Sequence, residues 1–195
     1  MSSQVLWFVS RSSGLALLAG FSAVTVLGIA ARLGSLPKGS SRLGLGELHR
    51  TLALFCVAFL GLHVLTAILD PYVTIGWAAT VLPFASPYRA TAIGLGALAV
   101  DLGAAVLITS LARRLGYRAW RAVHWLGYLA WPAAFWHSVT VGTDPRIWWV
   151  ALVVWGCAAA VATAWLARLL SWRRGPDRQC PGGPQPAAPR EQAPL

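Results

Sequence analysis

Apolar and polar positions fall in long blocks rather than in short alternations. Five mostly apolar blocks run from about Val5 to Ala31, Glu47 to Leu69, Ala90 to Ala112, Trp120 to Val141 and Ile147 to Leu170. Each can cross a hydrocarbon layer of ~30 Å as a helix rising ~1.5 Å per residue. The period-two pattern of a barrel strand is missing, which leaves helices as the way to satisfy backbone amides inside lipid. The pattern therefore predicts an all-α integral membrane bundle of about five transmembrane helices. The first block is too long for the apolar core of a signal peptide. The longest connection, 70–89, holds three prolines and an apolar piece, Ile75 to Leu82, too short to span. That piece is expected to lie in the membrane interface. From Ser171 onward the chain carries six of its twelve prolines. This predicts a membrane domain over 1–170 and a disordered tail over 171–195.

Composition agrees with the blocks. Hydrophobic residues make up 57% and charged residues 11%, against roughly 25% charged in soluble domains. A soluble enzyme and a disordered chain are excluded. The net charge of +10 would suggest nucleic acid in a soluble protein. Here its distribution gives the better explanation, and no nucleic-acid partner is expected. Thirteen of the 16 basic residues fall between 32 and 50, between 113 and 121, or from 168 to the tail; Arg11, Arg89 and Arg146 lie on the other side. The positive-inside rule then sets the N-terminus outside and the C-terminus in the cytoplasm. Cys56, Cys157 and Cys180 show no C-x-x-C spacing, so neither a zinc site nor a disulfide framework is indicated.

The chain has four histidines, and all lie in two of the five spans. His49 and His63 are in the second, His124 and His137 in the fourth. Ionisable side chains inside a membrane are costly and usually functional. Both spans run in the same direction, and the paired spacings of 14 and 13 residues correspond to ~21 and ~19.5 Å of helix. His49 and His124 therefore fall at one depth, near the cytoplasmic side, and His63 and His137 at another, near the outside. Two facing histidines are what a six-coordinate haem iron requires. Fourteen residues keep His49 and His63 on one face. Thirteen residues leave His137 about 140° away from His124 at ~100° per residue. Pro132 lies between them, and a kink or overwinding there is expected to correct the phase. A haem-free transporter or scaffold with four structural histidines is the alternative. Copper transport fits poorly, because soft ligands are scarce in the spans.

Two segments carry a family likeness. Leu48-His49-Arg50 with His63, and Gly116-Tyr117-Arg118-Ala119-Trp120-Arg121-Ala122-Val123-His124 with His137, together resemble the ferric reductase-like transmembrane domain. That superfamily includes ferric-chelate reductases, NADPH oxidases and the haem subunit of the bacterial methionine sulfoxide reductase system. The resemblance covers roughly residues 5–170 and implies two b-type haems, with His49 and His124 on the inner one and His63 and His137 on the outer one. It implies electron transfer across a membrane, expected to be the bacterial plasma membrane, to an extracytoplasmic acceptor such as ferric iron, oxygen or a partner reductase. Larger members carry flavin and nicotinamide domains after the last span. This chain ends about 25 residues after its own, so its electrons are expected from quinol or from a separate protein that holds flavin or NAD(P)H. The stretch Gly94-Leu95-Gly96-Ala97-Leu98-Ala99 has no strand before it and reads as helix packing, not a dinucleotide site.

Other residues take expected roles around this frame. Arg11 would pair with a propionate or hold an anionic acceptor near the outer haem, or else snorkel to the interface. Arg50 would pair with an inner propionate or mark the cytoplasmic boundary. Arg113, Arg114, Arg118 and Arg121 would set orientation or dock an acidic donor. Asp101, mid-span, would relay a proton, fix a histidine tautomer, or stay protonated and structural. Trp7, Trp77, Trp120, Trp148, Trp149 and Trp172 read as an aromatic belt. Trp125, Trp131 and Trp136 read as bundle packing or as haem-pocket walls.

Overall fold

The computed structural model describes residues 3–33, 42–71, 75–112, 116–142 and 147–173. Residues from 174 onward lie outside that set, as do Lys38, Arg113, Arg114 and Arg146. The described residues are helical and contain no strand. The helices are α1 (Ser3–Leu33), α2 (Arg42–Leu69), α3 (Ala90–Leu111), α4 (Tyr117–His124), α5 (Gly127–His137) and α6 (Trp148–Arg173). A 3₁₀ turn, Trp77–Thr80, precedes α3, and a π turn, Ser138–Gly142, follows α5. Four helices, α1, α2, α3 and α6, are each long and apolar enough to span a membrane. The remaining predicted span is assembled from α4 and α5, with a break at Trp125 and Leu126.

The packing is what a bilayer protein needs. α1 lies at the centre, against α2 on one side and α6 on another, while α3 packs on α5. Fully buried Ile29 of α1 and Val154 and Val161 of α6 mark the dry centre. Large apolar residues point outward, including Phe55 and Leu65 of α2, Ile108 of α3 and Leu152 and Trp155 of α6. In water this surface would drive aggregation; in lipid it is solvated. The chain is an integral membrane protein. Trp77, Trp148 and Trp172 are strongly exposed at helix ends, as an aromatic belt requires.

Two features anchor the rest. Trp131 of α5 is buried and donates its Nε1–H to Ser22 Oγ of α1 at 2.9 Å. Its ring also meets Trp165 of α6 and Phe135, so one side chain ties three helices. The 75–89 segment folds back onto α3 at Gly94, where a Cβ would come within 2.6 Å of the Phe84 backbone nitrogen. Arg89, in the left-handed region at φ 43°, starts α3 and donates to the Thr140 carbonyl at 2.7 Å.

The overwinding in the split span lies at its break, not at Pro132. Pro132 sits inside a continuous α5. Around the break, backbone N–H groups bond three residues back: Leu126 to Val123 at 2.9 Å, Tyr128 to Trp125 at 3.0 Å and Leu129 to Leu126 at 3.0 Å. Such 3₁₀ steps turn ~120° instead of ~100°, so each adds ~20° in the direction the spacing requires.

Candidate functional site: two levels of paired imidazoles

The structure brings the four histidines together in two pairs. The His49 and His124 ring centroids are 6.3 Å apart, tilted by 48°. The His63 and His137 centroids are also 6.3 Å apart, with the rings at 83°. All four histidines are half-buried.

Glycines make room for three of these rings. A Cβ on Gly14 of α1 would lie 2.9 Å from His63 Cε1, and one on Gly96 of α3 would lie 2.7 Å from His137 Nδ1. A Cβ on Gly28 of α1 would lie 3.3 Å from His49 Cε1. Gly14 and Gly28 are fourteen residues apart, as are His49 and His63. Two antiparallel helices thus repeat one contact at two depths, and Gly20 allows a third close approach, at Cys56. This matched spacing was in the sequence and would have identified the glycines. Gly94 and Gly96 act in packing, as their helical setting predicted: one admits Phe84, the other His137.

Hydrogen bonds orient the second pair. His63 Nδ1–H donates to the Ser10 carbonyl at 2.8 Å, and His137 Nδ1–H donates to the Ala92 carbonyl at 2.8 Å. A carbonyl only accepts, so both protons are on Nδ1 and each Nε2 keeps its lone pair. Each acceptor lies four residues before the glycine beneath its ring. The first pair lacks this bond: Nδ1 of His49 and Nδ1 of His124 are buried without a hydrogen-bond partner. The Val24 carbonyl, four residues before Gly28, interacts with the His49 ring without closing a hydrogen bond on Nδ1. In the second pair the tautomer is fixed by main chain, not by Asp101.

The donor set fits a haem iron. First-row metals sit about 2.0–2.1 Å from an imidazole nitrogen, which is about 1.1 Å from its ring centre, so one metal between two rings spaces the centroids roughly 6.2–6.4 Å apart. Both observed separations are 6.3 Å. Among the described residues no three His, Cys, Asp or Glu side chains cluster. Each pair therefore offers two nitrogen ligands, too few for a closed zinc site and the number that axial ligation of an iron porphyrin uses.

The other expected site residues are placed as follows. Arg11 follows Ser10, at the level of His63, half-buried with its guanidinium 4.9 Å from the Trp7 ring centre. Arg50 is exposed beside His49, and Arg118 and Arg121 are exposed on α4. Trp125 and Trp136 are exposed; Trp125 lies under the Arg168 guanidinium. The tryptophan that stacks on a histidine is Trp120, 4.9 Å from His124 at 29°, a residue the sequence reading assigned to the belt.

An all-helical membrane bundle with imidazole pairs at two depths defines a class of protein. Its sequence matches the model of the ferric reductase-like transmembrane component over residues 8–135, more than half of the chain. The chain belongs to that family, and its membership supports a membrane electron-transfer role. The match runs from α1 into α5 and includes three of the four histidines; His137 is two residues beyond it. No curated protein and no solved structure matches the chain.

Proposed function

We propose that the protein carries electrons across the membrane between two b-type haems, one held by His49 and His124 and the other by His63 and His137. The observation that carries this reading is the recurrence of one ring separation, 6.3 Å, at two levels of a single bundle. Haem, when bound, supplies the one-electron chemistry. The chain supplies position, orientation and a dry surrounding. Gly14, Gly28 and Gly96 admit the rings, and the Ser10 and Ala92 carbonyls hold Nδ1–H so that Nε2 is the ligating atom. A hydrogen bond on the nitrogen opposite the ligating one fixes ring orientation and raises ligand basicity.

Charge indicates which level faces the cytoplasm. The His49–His124 level lies beside Arg50, Arg118 and Arg121, on the basic side that the positive-inside rule assigns to the cytoplasm. Electrons enter there, from quinol or a flavin- or NAD(P)H-dependent donor. They leave at the His63–His137 level, near Arg11, toward ferric iron, oxygen or a partner reductase outside. The membrane is the bacterial plasma membrane.

The test is a reduced-minus-oxidised absorption spectrum of the purified protein with pyridine haemochrome quantification. Two low-spin haems b per chain are expected. Protein that remains haem-free when expressed with ample haem refutes the reading and points to a transporter or scaffold.

A further inference from the structure

Three of the four imidazoles rest on a glycine of a neighbouring helix, with a backbone carbonyl four residues earlier. His124 does not. No glycine of α1 or α3 has its Cβ position against it, and its Nδ1 is buried without a partner. At that depth two α3 carbonyls accept hydroxyls of their own helix. Thr109 Oγ1–H donates to the Ala105 carbonyl at 2.7 Å, and Ser110 Oγ–H donates to the Val106 carbonyl at 2.7 Å.

Another device stands where the carbonyl is missing. Trp120 precedes His124 by one helical turn, and its ring stacks on the imidazole at 4.9 Å and 29°. The stack is tied to α3, because Trp120 Nε1–H donates to Ser110 Oγ at 3.2 Å. A continuous path thus runs from the Val106 carbonyl through Ser110 and the indole to the face of His124.

We propose that Trp120 and Ser110 are positioning residues for His124, setting by a tethered ring stack the imidazole plane that a carbonyl sets for His63 and His137. The inference rests on the bis-histidine reading above. A stack fixes the plane of a ring but not its tautomer, since it bonds neither nitrogen. The His49–His124 level is therefore the more easily emptied of the two, and Trp120 is what keeps it filled.

The test uses the full-length protein in lipid nanodiscs and follows haem transfer to excess apomyoglobin, together with the low-spin and high-spin absorption bands. Wild type, Trp120→Leu, Trp120→Phe and Ser110→Ala are compared, and His49→Ala identifies which phase belongs to this level. Trp120→Leu is expected to speed the phase absent from His49→Ala roughly tenfold, the upper end of what an aromatic stack contributes, and to turn that haem high-spin. The other phase stays at the wild-type rate. Trp120→Phe keeps a stacking ring and is expected to restore the low-spin band, with a smaller acceleration that matches Ser110→Ala. Unchanged rates and spectra in Trp120→Leu overturn the proposal, and so does an equal change in both phases, which is general loosening. A wild-type protein without haem fails the functional reading itself; a wild type with two haems and a silent Trp120→Leu fails only this inference.

Discussion

At the His63–His137 level each imidazole gives its Nδ1–H to a carbonyl at 2.8 Å and presses on a glycine where a Cβ would stand 3.0 Å or less from Nδ1. At the His49–His124 level one ring lies more loosely on Gly28, at 3.3 Å, the other has Trp120 in place of a glycine, and neither Nδ1 is bonded. The ring separation is nevertheless the same. Equal spacing is therefore reached in two ways: by main-chain contacts that specify tautomer and plane together, and by side-chain contacts that leave the tautomer open. The first kind depends on helix-to-helix distance. The second depends on one aromatic residue.

The largest effects should come from removing the imidazoles. His63→Ala or His137→Ala is expected to remove one haem per chain and leave the second, read as a fall from two to one by pyridine haemochrome. His49→Ala or His124→Ala should do the same at the other level. Loss of both haems from a single substitution would show that the levels are coupled through the fold and would end the comparison.

Glycine substitutions rank the levels more finely. An alanine at Gly96 or Gly14 must displace a ring already fixed by its hydrogen bond, and overpacking of this kind costs about 1–3 kcal/mol. The expected order of harm to haem retention and thermal stability is Gly96→Ala, then Gly14→Ala, then Gly28→Ala, following the Cβ distances of 2.7, 2.9 and 3.3 Å. Gly103 has open space around its Cβ position, so Gly103→Ala should be neutral or raise stability by up to ~1 kcal/mol through helix propensity. An order unrelated to distance would mean that the glycines do not set the ring positions.

Much of this frame was legible in the sequence because it depends on length and spacing. Spans are fixed by lipid thickness, and the depths of His49, His63, His124 and His137 follow from rise per residue on parallel spans. Contacts made by an absent atom were harder to read. Gly14 and Gly28 carry no signal alone; their meaning comes from matching the histidine spacing across an antiparallel partner. Trp120 sits near a span end, where a tryptophan usually faces the interface, and only the Ser110 tether and the stack on His124 add a second role. Asp101 was considered as a tautomer-fixing partner, but in the second pair the main chain fills that role.

A smaller effect is expected where the two levels share a support. Ser22 Oγ accepts from Trp131 Nε1–H and donates to the Leu18 carbonyl. Ser22→Ala leaves a buried indole N–H unpaired, at a cost of about 1–3 kcal/mol. Because Trp131 meets Ser22 of α1 and Trp165 of α6, the loss should lower the thermal midpoint and speed both haem phases alike. An effect confined to one level would place Trp131 in that level's pocket instead of in the common core.

The smallest effect is expected at Pro132, the residue that the sequence marks as the natural place to correct the phase between His124 and His137. In the structure α5 runs unbroken through it, and the overwinding lies at Trp125 and Leu126, where N–H groups bond three residues back. If the break sets the phase, Pro132→Ala keeps both imidazole pairs, both haems and the wild-type spectrum. Its effect on stability should be neutral or favourable, since proline is the poorest residue for a helix interior. If Pro132 sets the phase, the same substitution rotates His137 against His124, and a haem is lost from one level. A single alanine inserted between Trp125 and Leu126 gives the complementary result. It advances His137 by ~100° relative to His124 wherever the phase is set, so it should cost a haem, and retention of two haems would show that the extra residue is absorbed at the break without rotating His137.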